Sequence, residues 1–325
     1  MHNKLPTLLG ICLICFSSVS AQYTEMINTN RPGGSQGAFS VGTNVLQFES
    51  GVSYGKEEHE LLETETNGLA IDYAIRYGFW KERLEVSLTG EFQSNSITDN
   101  RSTNPYEYTN ANFKSNTVGA KYLVYDPYRK RELEGPNLYS WKANNTMQWR
   151  DLIPAIAVYA GANFDFKDNP FTPEAESSIS PKFVLSTQNN FRGGWVFVTN
   201  IIVDRITTDF PTYGYILTLT HATNRYFSIF VENQGLKSDF YSDQLLRGGV
   251  AALISPNLQV DLSLTYSFKD TPSKLYGRAG VAYRFDMHNR DEFLEDKAIR
   301  KQERQKKKDK KQKRQDQLNH DGGEQ

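Results

Sequence analysis

Few residues of this chain have the means to do acid–base or nucleophilic chemistry. Between residues 22 and 285 the histidines are His59 and His221. No His/Cys/Asp cluster has metal-ligand spacing, and no Gly-rich phosphate loop precedes a helix. In Thr220-His221-Ala222-Thr223-Asn224 an imidazole and a hydroxyl stand two residues apart. On a strand that spacing puts both on one face, where a His could activate a nucleophile as in an interfacial lipid hydrolase. Against this, Thr is a poor substitute for Ser, and ATNR reads as a turn. His221 then becomes an interfacial side chain. His59 stands in a polar stretch read as a surface loop. No pattern asks for a cofactor.

The charged residues are better placed for function. Glu49, Asp72, Arg76, Glu91, Lys121, Glu232, Asp261 and Arg278 each lie opposite the apolar face of an alternating segment. In 68–78 (GLAIDYAIRYG), Leu69, Ile71, Tyr73, Ile75 and Tyr77 share one face, and Ala70, Asp72, Ala74 and Arg76 the other. In 84–92 (LEVSLTGEF), Leu84, Val86, Leu88 and Phe92 oppose Glu85, Ser87, Thr89 and Glu91. Period two means half-buried strands. Charges on the second face of strand after strand suit a closed barrel with lipid outside and a polar lumen. The eight charges then line the lumen, either pairing to close it or bordering a polar path.

Twelve such segments are expected: 44–54, 68–78, 84–92, 117–125, 154–164, 182–189, 195–204, 213–221, 226–233, 248–254, 258–268 and 275–285. Most approach the roughly 9–11 residues that a tilted membrane strand needs. The fold class is therefore all-β, a transmembrane antiparallel up-and-down barrel of about twelve strands. If the first strand runs outward, four of the five periplasmic turns are very short. The opposite connections 55–67, 93–116, 165–181 and 234–247 read as long polar surface loops. The exception is 126–153, a long insertion on the short-turn side. A plug-like excursion, a small cap or a missed hairpin would each account for it, and the last would make fourteen strands.

The ends carry separate elements. Residues 1–21 read as a secretory signal, with Lys4, an apolar run over 5–16 and Val19-Ser20-Ala21 as a small-residue cleavage site. The mature chain is expected to begin at Gln22. Cys12 and Cys15 both fall in the signal, which excludes disulfides from the mature protein. Residues 22–43 lack alternation and read as an N-terminal periplasmic segment, with the start of a fold into the lumen. The barrel is assigned to 44–285 and a charged tail to 286–325, helical or disordered in composition. Net charge is -1, yet residues 297–314 hold eleven Lys and Arg against Glu303 and Asp309. After a secretory signal and a barrel, that run suits an anionic or protein partner in the periplasm, not nucleic acid. The mean hydropathy of -0.59 fits a barrel in which alternate residues face lipid.

Several stretches in order carry a resemblance. Asn30-Arg31-Pro32 precedes a Gly/Ser stretch and VLQFESGVSYG. Then come IRYGFWKERLEVSL, VGAKYLVY, PAIAVYAG, SIFVENQG and LISPNLQVDLSLTYSF. Over residues 30–285 the chain resembles the meta-pathway phenol degradation family of Gram-negative bacteria, whose members are often labelled transporters. The resemblance implies an outer-membrane barrel that passes small molecules, apolar or aromatic ones included; the even strand number, for its part, suits N- and C-termini in the periplasm. The resemblance also implies a role for Arg31 and Pro32 in the N-terminal motif, and for Glu232 and Asp261 as recurring charges. The chain departs from the family pattern at Asn30, where an Asp is common, in the 126–153 insertion and in the basic tail. These departures leave room for an accessory barrel with a filled lumen that binds a partner through 297–314.

Overall fold

The computed structural model describes residues 26–134, 138–140, 142, 146–166, 169–172, 177–239 and 241–287. The signal assignment and the basic run 297–314 lie outside the described residues. Twelve strands form one closed antiparallel barrel: β1 (Val45–His59), β2 (Thr64–Gly78), β3 (Leu84–Asp99), β4 (Tyr106–Tyr125), β5 (Ala155–Phe164), β6 (Ile179–Phe191), β7 (Trp195–Asp204), β8 (Thr212–Ala222), β9 (Phe227–Lys237), β10 (Ser242–Ser255), β11 (Leu258–Ser267) and β12 (Ser273–Asp286). Each pairs with its neighbour in sequence, and β1 closes against β12. Closure leaves no unpaired sheet edge to lipid, the condition for a sheet to cross a bilayer.

The faces follow the alternation. Every strand puts an apolar side chain outward: Val52, Ile71, Val86, Val118, Val158, Phe183, Ile201, Leu217, Val231, Val250, Leu262 and Val281 are all exposed. Register holds the belt level, with Val52 opposite Ile71 and Ile201 opposite Tyr215. A Lys or Arg at mid-belt would cost about 2–4 kcal/mol, and these positions carry none. The buried groups, by contrast, are largely polar: Gln47, Glu49, Arg76, Glu85, Lys121, Asn200, Glu232, Asp261 and Arg284 among them.

Three expected surface loops are strand instead. β1 and β2 pair through His59 and Thr64, so most of 55–67 is hairpin. β3 and β4 pair through Asp99 and Tyr106, which absorbs most of 93–116. β9 and β10 pair through Lys237 and Ser242. Beyond the membrane both faces of a hairpin meet water, so the hydrophobic period vanishes while backbone pairing continues. Lys56 there bridges Glu58 at 2.8 Å and Glu65 at 3.0 Å, easing the like charges of Glu58 and Glu65, which stand opposite each other. The connection 165–178 remains long. At the opposite end the turns 79–83, 192–194, 223–226 and 256–257 are short. Gly193 and Gly194 have φ of +74° and +77°, which suits a tight hairpin that residues with a Cβ adopt poorly.

The 126–153 insertion adds no strand among the described residues, so the barrel has twelve and not fourteen. It contains a helix, α1 (Pro127–Glu134), and a 3-10 turn at Trp149–Leu152. Asp126 caps α1: its Oδ1 accepts from the Tyr128 N–H at 2.9 Å and the Arg129 N–H at 3.3 Å. Pro127 follows at the first helical position, where its missing N–H is no loss.

Candidate functional site

The site begins with a segment that has no secondary structure of its own. Residues 26–44 leave the short-turn end, enter the barrel and return. The Ile27 N–H donates to Pro256 O at 2.8 Å in the β10–β11 turn, and the Asn44 N–H to Gly78 O at 3.0 Å at the end of β2. Between these anchors the segment fills the lumen as a plug. An irregular backbone inside a barrel must find its hydrogen bonds on the wall. The inward side chains supply them.

Arg31 anchors the segment to two wall strands through its guanidinium. Its Nε and Nη2 donate to Asp261 at 2.9 and 3.0 Å, and its Nη1 to Asp72. Asp72 also accepts from Arg278, with Nε at 3.0 Å and Nη2 at 2.7 Å. Two glycines seat the guanidinium. A Cβ at Gly51 would stand 2.4 Å from Arg31 Nη2, and one at Gly280 1.7 Å from it. Pro32 follows in a cis peptide. At the next turn the Gly34 N–H donates to both Glu232 oxygens at 3.0 Å, and the Ser35 N–H donates at 3.3 Å. Glu232 accepts further from Thr218 at 2.7 Å and pairs with Arg247. Gly33 allows this approach, since a Cβ there would lie 2.3 Å from Glu232 Oε2.

The returning limb is read by amides and a lysine. Asn200 accepts from the Gln36 N–H at 2.6 Å and donates to Gln36 O at 2.8 Å. Gln188 accepts from the Ala38 N–H at 3.0 Å, and Lys121 donates to Gly37 O at 2.9 Å and Phe39 O at 3.0 Å. Beneath it lies a buried charge network. Arg76 donates to Glu49 at 2.8 Å and bidentately to Glu85 at 2.8 and 2.9 Å, and also to Asn28 O at 2.9 Å. Lys121 stands 3.5 Å from Glu85. Each charge has a counter-charge and a hydrogen-bond partner, which makes its burial bearable.

All eight lumen candidates point inward; Glu49, Asp72, Arg76, Lys121, Glu232 and Asp261 bond the segment directly, and Arg278 reaches it only through Asp72. Glu91 lies farther along the lumen, paired with Lys114 at 3.2 Å. Glu85, Arg247, Asn200 and Gln188 belong to the same site and were not singled out above. Glu85 and Asn200 carried a readable signal, a polar side chain at inward parity. The insertion has a role too: on α1, Tyr128 packs its ring on Phe39 of the returning limb, centroids 6.0 Å apart. Its hydroxyl accepts from the Asn190 N–H at 2.6 Å. Burial pushes that hydroxyl above the ordinary tyrosine range, so it stays protonated.

The plug divides the lumen. On the side of the long hairpins a cavity of about 160 Å³ reaches from Asp72 and Arg278 to Glu57 and Lys274. A second, of about 240 Å³, lies between residues 27–37 and the wall at Val196, Val198, Thr220 and Phe230. The histidines stand apart from both. His59 accepts from the Leu62 N–H at 3.2 Å and caps the 3-10 turn. His221 stacks on Trp195, centroids 4.2 Å apart, while the backbone N–H of Thr223 bonds Phe227 O in the turn. Among the described residues no group of three or more His, Cys, Asp or Glu could hold a metal.

The barrel is similar to solved structures at low identity. An outer membrane channel from Pseudomonas putida F1 matches with a TM-score of 0.50 and 7% identity, over 80% of this chain and 100% of that one. The translocator domain of the autotransporter NalP from Neisseria meningitidis matches with a TM-score of 0.44 and 11% identity, over 75% and 89%. The CymD monoaromatic hydrocarbon channel matches with a TM-score of 0.42 and 11% identity, over 76% and 90%. Likeness at this level concerns the fold alone. No curated protein matches the sequence. The model of the family described as "Putative MetA-pathway of phenol degradation" matches residues 29–285. That span begins just before Arg31 and ends within β12, taking in most of the anchored segment and all twelve strands: the chain belongs to this family.

Proposed function

We propose that this protein is an outer-membrane channel for small molecules whose lumen is closed at rest by residues 26–44. In this reading the short turns face the periplasm, both ends of the chain lie there, and lipid surrounds the apolar belt. The observation that carries it is the juxtaposition of a largely polar, ion-paired lumen with a segment that fills it and has no strand pairing in the wall. A barrel of twelve strands is wide enough to leave a path once that segment moves. The family description points to aromatic compounds as one solute class.

The test is conductance in planar bilayers, comparing the full chain with a variant lacking residues 26–40. Small or rare openings for the first and steady stepwise current for the second are expected. Silence in both sinks the channel reading. A filled lumen favours a second reading, in which the barrel is an accessory protein and residues 297–314 bind a periplasmic anionic or protein partner. Co-purification lost on removing 288–325, with no current in any form, would select it. An interfacial hydrolase has little support, because the Thr223 N–H is bonded to Phe227 O in a turn and the buried Nδ1 of His221 has no hydrogen-bond partner among the described residues.

A further inference from the structure

The cavity beyond Arg31 has a chemistry that the family description does not anticipate. Of its thirteen lining residues only Ala70 and Leu245 are apolar. Four are cations and three are carboxylates. A hydrocarbon lodged there would strip water from paired charges and offer nothing in return. We propose that this vestibule is a receptor site for small organic carboxylates, held by Arg278, Lys114 and Arg247. The inference rests on the channel reading and names its solute class.

The donors are available. Arg278 gives Nε and Nη2 to Asp72, which leaves Nη1 uncommitted. Lys114 makes one bond, to Glu91, and its side chain is 48% exposed. Arg247 reaches Gln234 through Nη2 at 3.4 Å, a long bond that a carboxylate would better. Glu91 lines the same cavity as the three cations and pairs with Lys114 at 3.2 Å. It is the chain's own carboxylate in the place a solute carboxylate would take, and at 35% side-chain exposure water reaches it. Tyr276 lines the same cavity and offers a ring to the body of an aromatic acid.

Occupancy bears on the plug. Arg278 and Arg247 are the counter-charges of Asp72 and Glu232, the carboxylates that hold Arg31 and Gly34. A carboxylate on these arginines competes with the groups that anchor the segment.

The experiment titrates the full chain in detergent micelles by calorimetry at constant ionic strength. Probes are sodium benzoate, benzyl alcohol and inorganic phosphate. Saturable binding of benzoate and none of benzyl alcohol is expected. Losing a charge-assisted bond predicts benzoate binding roughly tenfold weaker in Arg278→Gln and several-fold weaker in Lys114→Gln. Glu91→Gln should bind benzoate more tightly, because the competing internal carboxylate is gone. Lys114 and Glu91 are half-exposed, so their variants keep the test decisive if Arg278→Gln fails to fold. Benzyl alcohol binding as well as benzoate, or benzoate binding unchanged in Lys114→Gln and Glu91→Gln, overturns the proposal. Phosphate binding in place of benzoate also overturns it, making the site one for inorganic anions. Binding is read without ion flow. Current with no benzoate binding therefore rejects this inference alone, and benzoate binding in a silent barrel rejects the channel alone.

Discussion

Arg31 is held by two carboxylates, Asp72 on β2 and Asp261 on β11, on either side of the β1–β12 seam, and Asp261 has a fully buried side chain. Replacing Arg31 by Gln strands that charge, and breaking a buried pair from one side costs about 3–5 kcal/mol. The plug, not the sheet, should give way, because closure of the barrel does not depend on Arg31. Faster protease cleavage within 26–44 at unchanged barrel circular dichroism is the expected result. Gly280→Ala should do the same without touching a charge, since the new methyl would occupy the position of the guanidinium. An intact, protected segment in both variants would show that Arg31 is not the anchor. The belt gives a contrasting case. Ile201→Lys faces lipid and should lower barrel stability by about 2–4 kcal/mol, read as a shifted urea midpoint.

The elements divide the work between wall and lid. Strands supply regularly spaced inward groups, and the N-terminal segment spends its backbone N–H and C=O groups on them. Helix α1 braces the returning limb through Tyr128 and Phe39, beside the small cluster of Ala38, Leu123, Ala155 and Ala157. Tyr128→Ala should loosen that limb by about 2 kcal/mol, below the roughly 3–5 kcal/mol of a fully buried aromatic truncation because the site is half-buried. Hydrogen exchange at residues 36–41 would report it, with exchange in β4 and β5 as the internal control. In the β6–β7 turn, Gly194→Val forces a branched residue to a φ of +77°. About 1–2 kcal/mol of strain should appear as a lower urea midpoint with the plug still protected. Unchanged midpoints would mean the turn relaxes.

At the scale of the whole molecule, the contacts that fill the lumen among the described residues come from residues 26–44. A chain ending at residue 287 should fold and conduct like the full chain, whereas loss of 26–40 should raise current. The reverse pattern would make the basic run the closure. Much of this design was legible in the sequence. Strand number, faces and the inward direction of Glu49, Asp72, Arg76, Glu91, Lys121, Glu232, Asp261 and Arg278 follow from a period of two, because a sheet wetted by lipid on one side cannot place charge there. The length of the hairpins was not legible, because above the membrane both faces are solvated and no period remains. Nor was the role of α1, although Asp126-Pro127 carried a helix-start signal. By itself the sequence determined a closed barrel with a charged interior, since alternation is a local property of each strand. Only the tertiary structure decided that Arg31 meets Asp72 and Asp261, and that Gly34 meets Glu232. Those partners lie 41, 230 and 198 residues away, and it is the closing of the sheet on itself that brings them within a hydrogen bond.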